Sequence, residues 1–277
     1  LKLYLEKCPQ APATAVLGAL TSCDVQAHRA ASLYTHTLVT NSAKAGSSII
    51  GPIMSSLTSM ICLLLQQCEN PLTRLTDHNA TAVTSALQEP AEFLRSSNEI
   101  CRYLMFMDRL CAEDTGCLSV CAHGGLYTAM LCLHSLRQEV ATLGLQVLTS
   151  CYRSLTRIMT ALKLRTRECK KAYQLASKKA ASGTDSMDAT DMDGNNSAAD
   201  DEDAPLDGVS PDCEYGLALA LQGAVATTTK ELACSLVELL PPCMSRFTGA
   251  EGALLLVQVS NLLPLLSYQH TKALLDN

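Results

Sequence analysis

Apolar residues recur three and four positions apart along most of this chain, and no segment carries a strand signal. Val16, Leu17 and Leu20 open a helical pattern after Pro9 and Pro12, which are expected to break an earlier helix ending near residue 7. Ala30, Leu33, Tyr34, Leu38 and Val39 form a second run, expected to end before Gly46. The clearest run is Ile50, Ile53, Met54, Leu57, Met60, Ile61, Leu64, Leu65 and Cys68, one buried face of a helix closed by Pro71. A weaker helix over 79–88 ends at Pro90. Gly116 opens a loop, and Gly124-Gly125 precede a helix with Leu126, Met130, Leu133 and Leu136 turned inward. Val140, Leu143, Val147, Leu148, Cys151, Leu155, Ile158, Met159 and Leu162 define a long helix that runs into a basic stretch. Helices resume over 214–240, stop at Pro241-Pro242 and restart over 250–266.

The stretch EFLRSSNEICRYLMFM, residues 92–107, interrupts this pattern with Ser96, Ser97 and Asn98. These side chains compete for backbone hydrogen bonds and suit helix interiors poorly. Ser96-x-x-Glu99 ahead of an apolar run fits a capping box, in which a helix starts near Ser97 and runs to about Cys111. The alternative is one continuous helix from Ala91 with an exposed Ser-Ser-Asn face.

Composition narrows the fold. Of 277 residues, 48% are hydrophobic but only 4% aromatic, and Trp is absent. Leu, Ala and Cys fill the apolar positions, which suits close helix packing and not a β-sandwich. The 14 Cys sit inside apolar runs, where a free thiol behaves as a small hydrophobe. No signal peptide and no uninterrupted apolar run of membrane-spanning length stands out, so a reducing compartment and no membrane partner are expected. The sequons Asn79-Ala80-Thr81 and Asn195-Asn196-Ser197 are then incidental. Leu1 in place of Met suggests a piece of a longer chain.

Charge is unevenly spread. Residues 153–179 hold nine Lys or Arg against one acid, Glu168; residues 185–207 hold nine acids and no Lys or Arg. Without those nine acids the net charge of -6 becomes +3. Residues 182–212 are too polar to order themselves and are expected to form a disordered acidic loop. The expected division is 1–181, a helical segment with a basic last helix; 182–212, the acidic loop; and 213–277, a helical segment continuing the stack.

Chemistry-bearing patterns are few, and no cofactor and no catalytic site are expected. Cys111, Cys117, Cys121 and His123 could supply four zinc ligands, but without a paired Cys-x-x-Cys they read more readily as core. Cys121 with His123 as a nucleophile pair lacks an identifiable orienting acid. Asp191-Met192-Asp193-Gly194 mimics the middle of a calcium loop, yet Ala189 and Asp200 occupy positions where ligands are required. The basic run is stronger. On a helix, Lys163, Arg167, Lys170 or Lys171, and Lys178 line one face, with Arg157 upstream, and such a face could follow a phosphate backbone. The alternative is a solvated face neutralised by the acidic loop. Ser182, Thr190 and Ser197 each precede an Asp by three residues and are candidate phosphorylation sites.

Three segments carry a family resemblance. Leu94-Arg95-Ser96-Ser97-Asn98-Glu99 followed by Arg102-Tyr103, then Leu131-Cys132-Leu133-His134-Ser135-Leu136-Arg137, then Glu251-Gly252-Ala253-Leu254-Leu255-Leu256-Val257 resemble, in that order, segments of the Fanconi anaemia group I family. The acidic tract falls where that family has an acidic linker. The resemblance covers most of this chain but a minor, C-terminal-half part of the family protein. It implies an α-solenoid arm of a nuclear, non-enzymatic subunit that pairs with its paralogue around double-stranded or branched DNA in interstrand crosslink repair, under control of phosphorylation and the ubiquitination machinery. The family's ubiquitin-acceptor lysine lies beyond the matched segments. No Ser-Gln or Thr-Gln dipeptide is present, and the family's basic C-terminal tail is missing.

The expected fold is all-α: an irregular α-solenoid of antiparallel helix pairs, HEAT/armadillo-like, with a disordered acidic loop. The expected function is a scaffold segment of a Fanconi-type DNA clamp. The alternative is an unrelated helical-repeat adaptor that binds proteins only.

Overall fold

The computed structural model describes residues 10–22, 24–41, 43–73, 91–182, 211–247 and 252–276. Every regular element among them is a helix, as the three-four periodicity requires: α1 (Gln10–Thr21), α2 (Val25–Asn41), α3 (Ala43–Thr73), α4 (Ala91–Cys111), α5 (Asp114–Ala122), α6 (Gly125–Cys132), α7 (Gln138–Ser182), α8 (Pro211–Arg246), α9 (Gly252–Leu262), a 3₁₀ turn (Leu263–Leu265) and α10 (Tyr268–Asp276). The expected helix over 79–88 and the acidic tract over 183–210 lie outside the described residues.

The chain divides into two compact units, Leu1–Thr156 with Thr229–Asn277, and Arg157–Thr228. In the first, α3 packs against α1, α2, α4, α5 and α6. Of the face predicted by spacing, Ile50, Ile53, Met54, Leu57, Ile61 and Leu65 are buried, together with Ile49, while Met60 and Leu64 are only half-buried. Residues Ile49–Gln66 form the one described helical segment long and apolar enough to cross a membrane. Here its apolar face is packed on neighbouring helices. Asp24 Oδ1 accepts the Gln26 backbone N–H at 2.8 Å and caps α2. Arg102 Nη1 donates to the Ser22 carbonyl at 3.1 Å, tying α4 to the α1–α2 turn.

Several boundaries differ from expectation, each for a local reason. Ser96 does not cap a helix: α4 is continuous from Ala91 to Cys111, just after Pro90 in the sequence. The alternative, one continuous helix from Ala91, is what the structure has; Asn98 is exposed as expected, but Ser97 lies on the buried face, 8% exposed, in register with Ile100, Tyr103, Leu104, Met107 and Leu110. Pro12 falls in the first turn of α1, where its missing N–H costs no helical bond. The second run does end before Gly46, at Asn41, and Gly46 itself falls inside the next helix, α3. Gly116 opens no loop; it is buried in α5, where any Cβ would strike the Leu110 carbonyl, so its small size lets α5 close against the end of α4.

The C-terminal half shows the same kind of correction. Gly124, with φ 78, makes the left-handed turn into α6. That helix ends at Cys132, so Leu136 leaves the helical phase and is 54% exposed; Leu126 and Met130 are only half-buried. The buried face is Thr128, Ala129 and Cys132. Arg246 Nη1 donates to the His134 carbonyl at 2.5 Å and Nη2 to the Leu133 carbonyl, neutralising the end of α6. Pro241 and Pro242 do not stop α8, which continues to Arg246. There Ser245 Oγ at 3.1 Å and Arg246 Nε at 3.2 Å donate to the Pro242 carbonyl.

Candidate nucleic-acid interface

The second unit holds the far part of α7 and the near part of α8. Along α7, Ile158, Leu162, Thr166 and Cys169 step four, four and three residues apart and are buried or half-buried. They form the packed stripe. Tyr173 continues it and stacks on Tyr215 of α8, with ring centroids 6.1 Å apart and planes 9° from parallel.

The helical period turns the charged residues away from that stripe. Lys163, Arg167, Lys170, Lys171 and Lys178 fall within an arc of about 100°, with Arg157 at its edge. All six are exposed. The arc runs about 22 Å along the axis between Lys163 and Lys178, from the helical rise. Among the described residues, Lys163, Arg167, Lys170, Lys171 and Lys178 make no ion pair. Chemically, this is a line of solvated cations on a rigid rod. It suits contact with spaced phosphates through point charges. Of the candidate phosphorylation sites, Ser182 closes α7, while Thr190 and Ser197 lie outside the described residues, as does the calcium-like Asp191–Gly194 tract.

The first unit holds a second concentration of chemistry. Cys111 ends α4, Cys117 and Cys121 stand one turn apart on α5, and Cys151 lies mid-way in α7's first part. The sulfurs of Cys117, Cys121 and Cys151 all lie within 4.8 Å of one another. Cys111 Sγ is 3.1 Å from Cys151 Sγ. Cys117 Sγ also faces the Cys151 carbonyl at 3.7 Å. His123 is not part of this nest. Its Nδ1 lies 3.5 Å from Ser55 Oγ and its carbonyl accepts from Thr58 Oγ1 at 3.3 Å, both on α3. The pairing of Cys121 with His123 fails for the same reason.

Hydrogen bonds between the thiols split their acidities. Donation by Cys117 and Cys151 holds the Cys121 thiol well below its ordinary range, against the opposing effect of burial. The same bond to Cys121 holds Cys117 far up, and Cys151 is raised chiefly by its bond with Cys111. Beside the nest, the Asp108 carboxylate accepts Gln146 Nε2 at 2.7 Å and Ser150 Oγ at 2.6 Å, and Ser154 Oγ donates to the Cys111 carbonyl at 2.6 Å. These bonds set α4 against α7. Sequence reasoning found three of the four thiols and missed Cys151, whose four-residue spacing from Val147 and Leu155 is that of any core position.

The class these features define is an all-helical protein with one exposed basic helix face and a buried thiol cluster. No protein-family model, curated protein or solved structure matches the chain.

Proposed function

We propose that this chain is a non-enzymatic helical scaffold whose basic α7 face binds the backbone of double-stranded DNA. The observation that supports this most is the exposed arc of Lys163, Arg167, Lys170, Lys171 and Lys178, backed by a packed stripe on the other side of the same helix. A helix so arranged keeps its cations at fixed spacing, and binding then proceeds by release of counterions from the phosphates. The resemblance to the Fanconi anaemia group I family extends the reading. The chain would be a nuclear solenoid segment of antiparallel helix pairs in a clamp subunit, acting with a paralogous partner in interstrand crosslink repair. Packing of sequential neighbours, α1 on α2 and α2 on α3, accords with such pairs.

A protein-only adaptor is the second reading. It is favoured by exposed Leu164, Leu175, Leu217 and Leu221, which lie on the same unit as the basic arc. Titrating the full chain into labelled duplex DNA at low and at moderate salt separates the two. The DNA reading expects saturable binding that weakens about 500-fold between 50 and 200 mM salt for five phosphate contacts. Absence of binding at low salt favours the adaptor.

A further inference from the structure

We propose that Cys111, Cys117, Cys121 and Cys151 form a structural site for one zinc ion, which clips the end of α4, the whole of α5 and the first part of α7 together. The proposal is independent of the DNA reading. It rests on where three separate helices place four soft donors. Zinc bound by four cysteine sulfurs is tetrahedral, with Zn–S near 2.3 Å, so its sulfurs stand about 3.8 Å apart. Cys117, Cys121 and Cys151 lie within 4.8 Å of one another, close to that edge, and Cys111 reaches the group through Cys151, 3.1 Å away, while standing outside the 4.8 Å set. To serve as the fourth ligand, the Cys111 sulfur would turn about its Cα–Cβ bond toward the other three.

The electrostatic situation points the same way. Cys111, Cys117 and Cys151 are buried, and Cys121 is half-buried, which leaves a route for an ion. A nest of thiols and thiolates gathers soft donor electron density with no cation of the protein's own against it among the described residues. A divalent ion of soft character compensates that density. Each sulfur that ligates releases one proton to solvent, and no electron is transferred. Four cysteine donors leave no position open for water or substrate, so the centre is structural and not catalytic. Cys117 and Cys121 supply two ligands from adjacent turns of a nine-residue helix, and fixing both would fix the whole of α5. The other outcome of such crowding is a Cys111–Cys151 disulfide, which would consume two ligands and needs an external oxidant.

The test uses the full chain purified under reducing conditions. Elemental analysis of the protein as isolated should find one zinc per chain. After the metal is removed by a chelator with the thiols kept reduced, cobalt(II) added anaerobically should give the intense visible bands of a tetrahedral centre and a near-ultraviolet sulfur-to-cobalt charge-transfer band. Loss of an outer partner of a metal ligand costs 10–100-fold in affinity, so losing a ligand in Cys151→Ser or Cys117→Ser should weaken zinc binding at least about 100-fold. Cys234→Ser, an exposed residue of α8, should change nothing. If a ligand variant does not fold, the wild-type metal content and cobalt spectrum decide alone. Three results would each overturn the proposal: no zinc and no cobalt charge-transfer band in a helical wild-type chain, a cobalt spectrum that survives Cys151→Ser unchanged, or a Cys111–Cys151 disulfide in the reduced preparation.

Discussion

Replacing Asp108 tests whether α4 is held on α7 by a specific polar clasp and not by apolar area alone. Its carboxylate accepts from Gln146 Nε2 at 2.7 Å and from Ser150 Oγ at 2.6 Å, and all three residues are half-buried. Hydrogen bonds to a charged group contribute about 1.5–3 kcal/mol each when well shielded. Partial exposure reduces that, because water can replace the carboxylate at both donors. Asp108→Ala should therefore cost about 2–3 kcal/mol in total, and Ser150→Ala about 1 kcal/mol. Asp108→Asn keeps one acceptor oxygen and should fall between them. The two residues share one bond, so the double variant Asp108→Ala/Ser150→Ala should be less destabilised than the sum of the singles by about 1 kcal/mol. Urea titration followed by far-ultraviolet circular dichroism reads these differences. If Asp108→Ala shifts the midpoint by less than the equivalent of about 0.5 kcal/mol, or the two losses simply add, the clasp contributes nothing and the reasoning fails.

Other consequences follow from single positions. His28 is buried, and burial first, then the Arg102 and Arg109 charges, lower its pKa, with a backbone bond at Arg102 opposing them. The unfolded chain therefore takes up this proton before the folded one. Stability should fall as pH drops through 6.5, and His28→Leu should flatten that part of a plot of urea midpoint against pH. Gly144 brings α7 onto α6 so closely that a Cβ would lie 2.9 Å from the Ala129 carbonyl oxygen and 2.9 Å from Cys132 Cβ. Gly144→Ala should destabilise by about 1–2 kcal/mol, despite the better helix propensity of alanine, and an unchanged or raised urea midpoint would contradict that approach. Deleting residues 184–207 removes the nine acids and should raise affinity for duplex DNA at both low and moderate salt, if that tract competes with phosphates for the basic face. Unchanged affinity in a binding titration would end that idea.

The helical class was readable because burial writes a three-four period into each long segment, as the α3 run from Ile50 to Leu65 shows. Boundaries were harder, because the residues that normally mark them serve two purposes. Gly116 looks like a loop opener, yet it is a close-approach residue inside α5. Ser96-x-x-Glu99 has the form of a capping box, but a helix already under way from Ala91 gives it no free N–H groups to cap. Pro241-Pro242 reads as a stop, but the helix carries on through it for about one more turn to Arg246, where Ser245 and Arg246 side chains donate to the Pro242 carbonyl. The basic arc was readable, since charge and helical phase are both local. The thiol nest was only partly so. Cys111, Cys117 and Cys121 are close in sequence, but Cys151 comes from a helix thirty residues on, and nothing local distinguishes it from a core thiol. The Asp108 clasp had no sequence signal at all, because an acid on one helix and Gln146 and Ser150 on another meet only through tertiary packing.

The DNA reading stands or falls on how many cations of α7 meet phosphates. That number is the slope of the logarithm of the binding constant against the logarithm of salt concentration, measured for the full chain on duplex DNA. Contact by Lys163, Arg167, Lys170, Lys171 and Lys178 gives a slope of about -4.5, and Lys170→Ala/Lys171→Ala should make it shallower by about 1.8. A slope near zero, or one that the double variant leaves unchanged, would show that this face is a solvated surface and that DNA, if bound, is bound elsewhere.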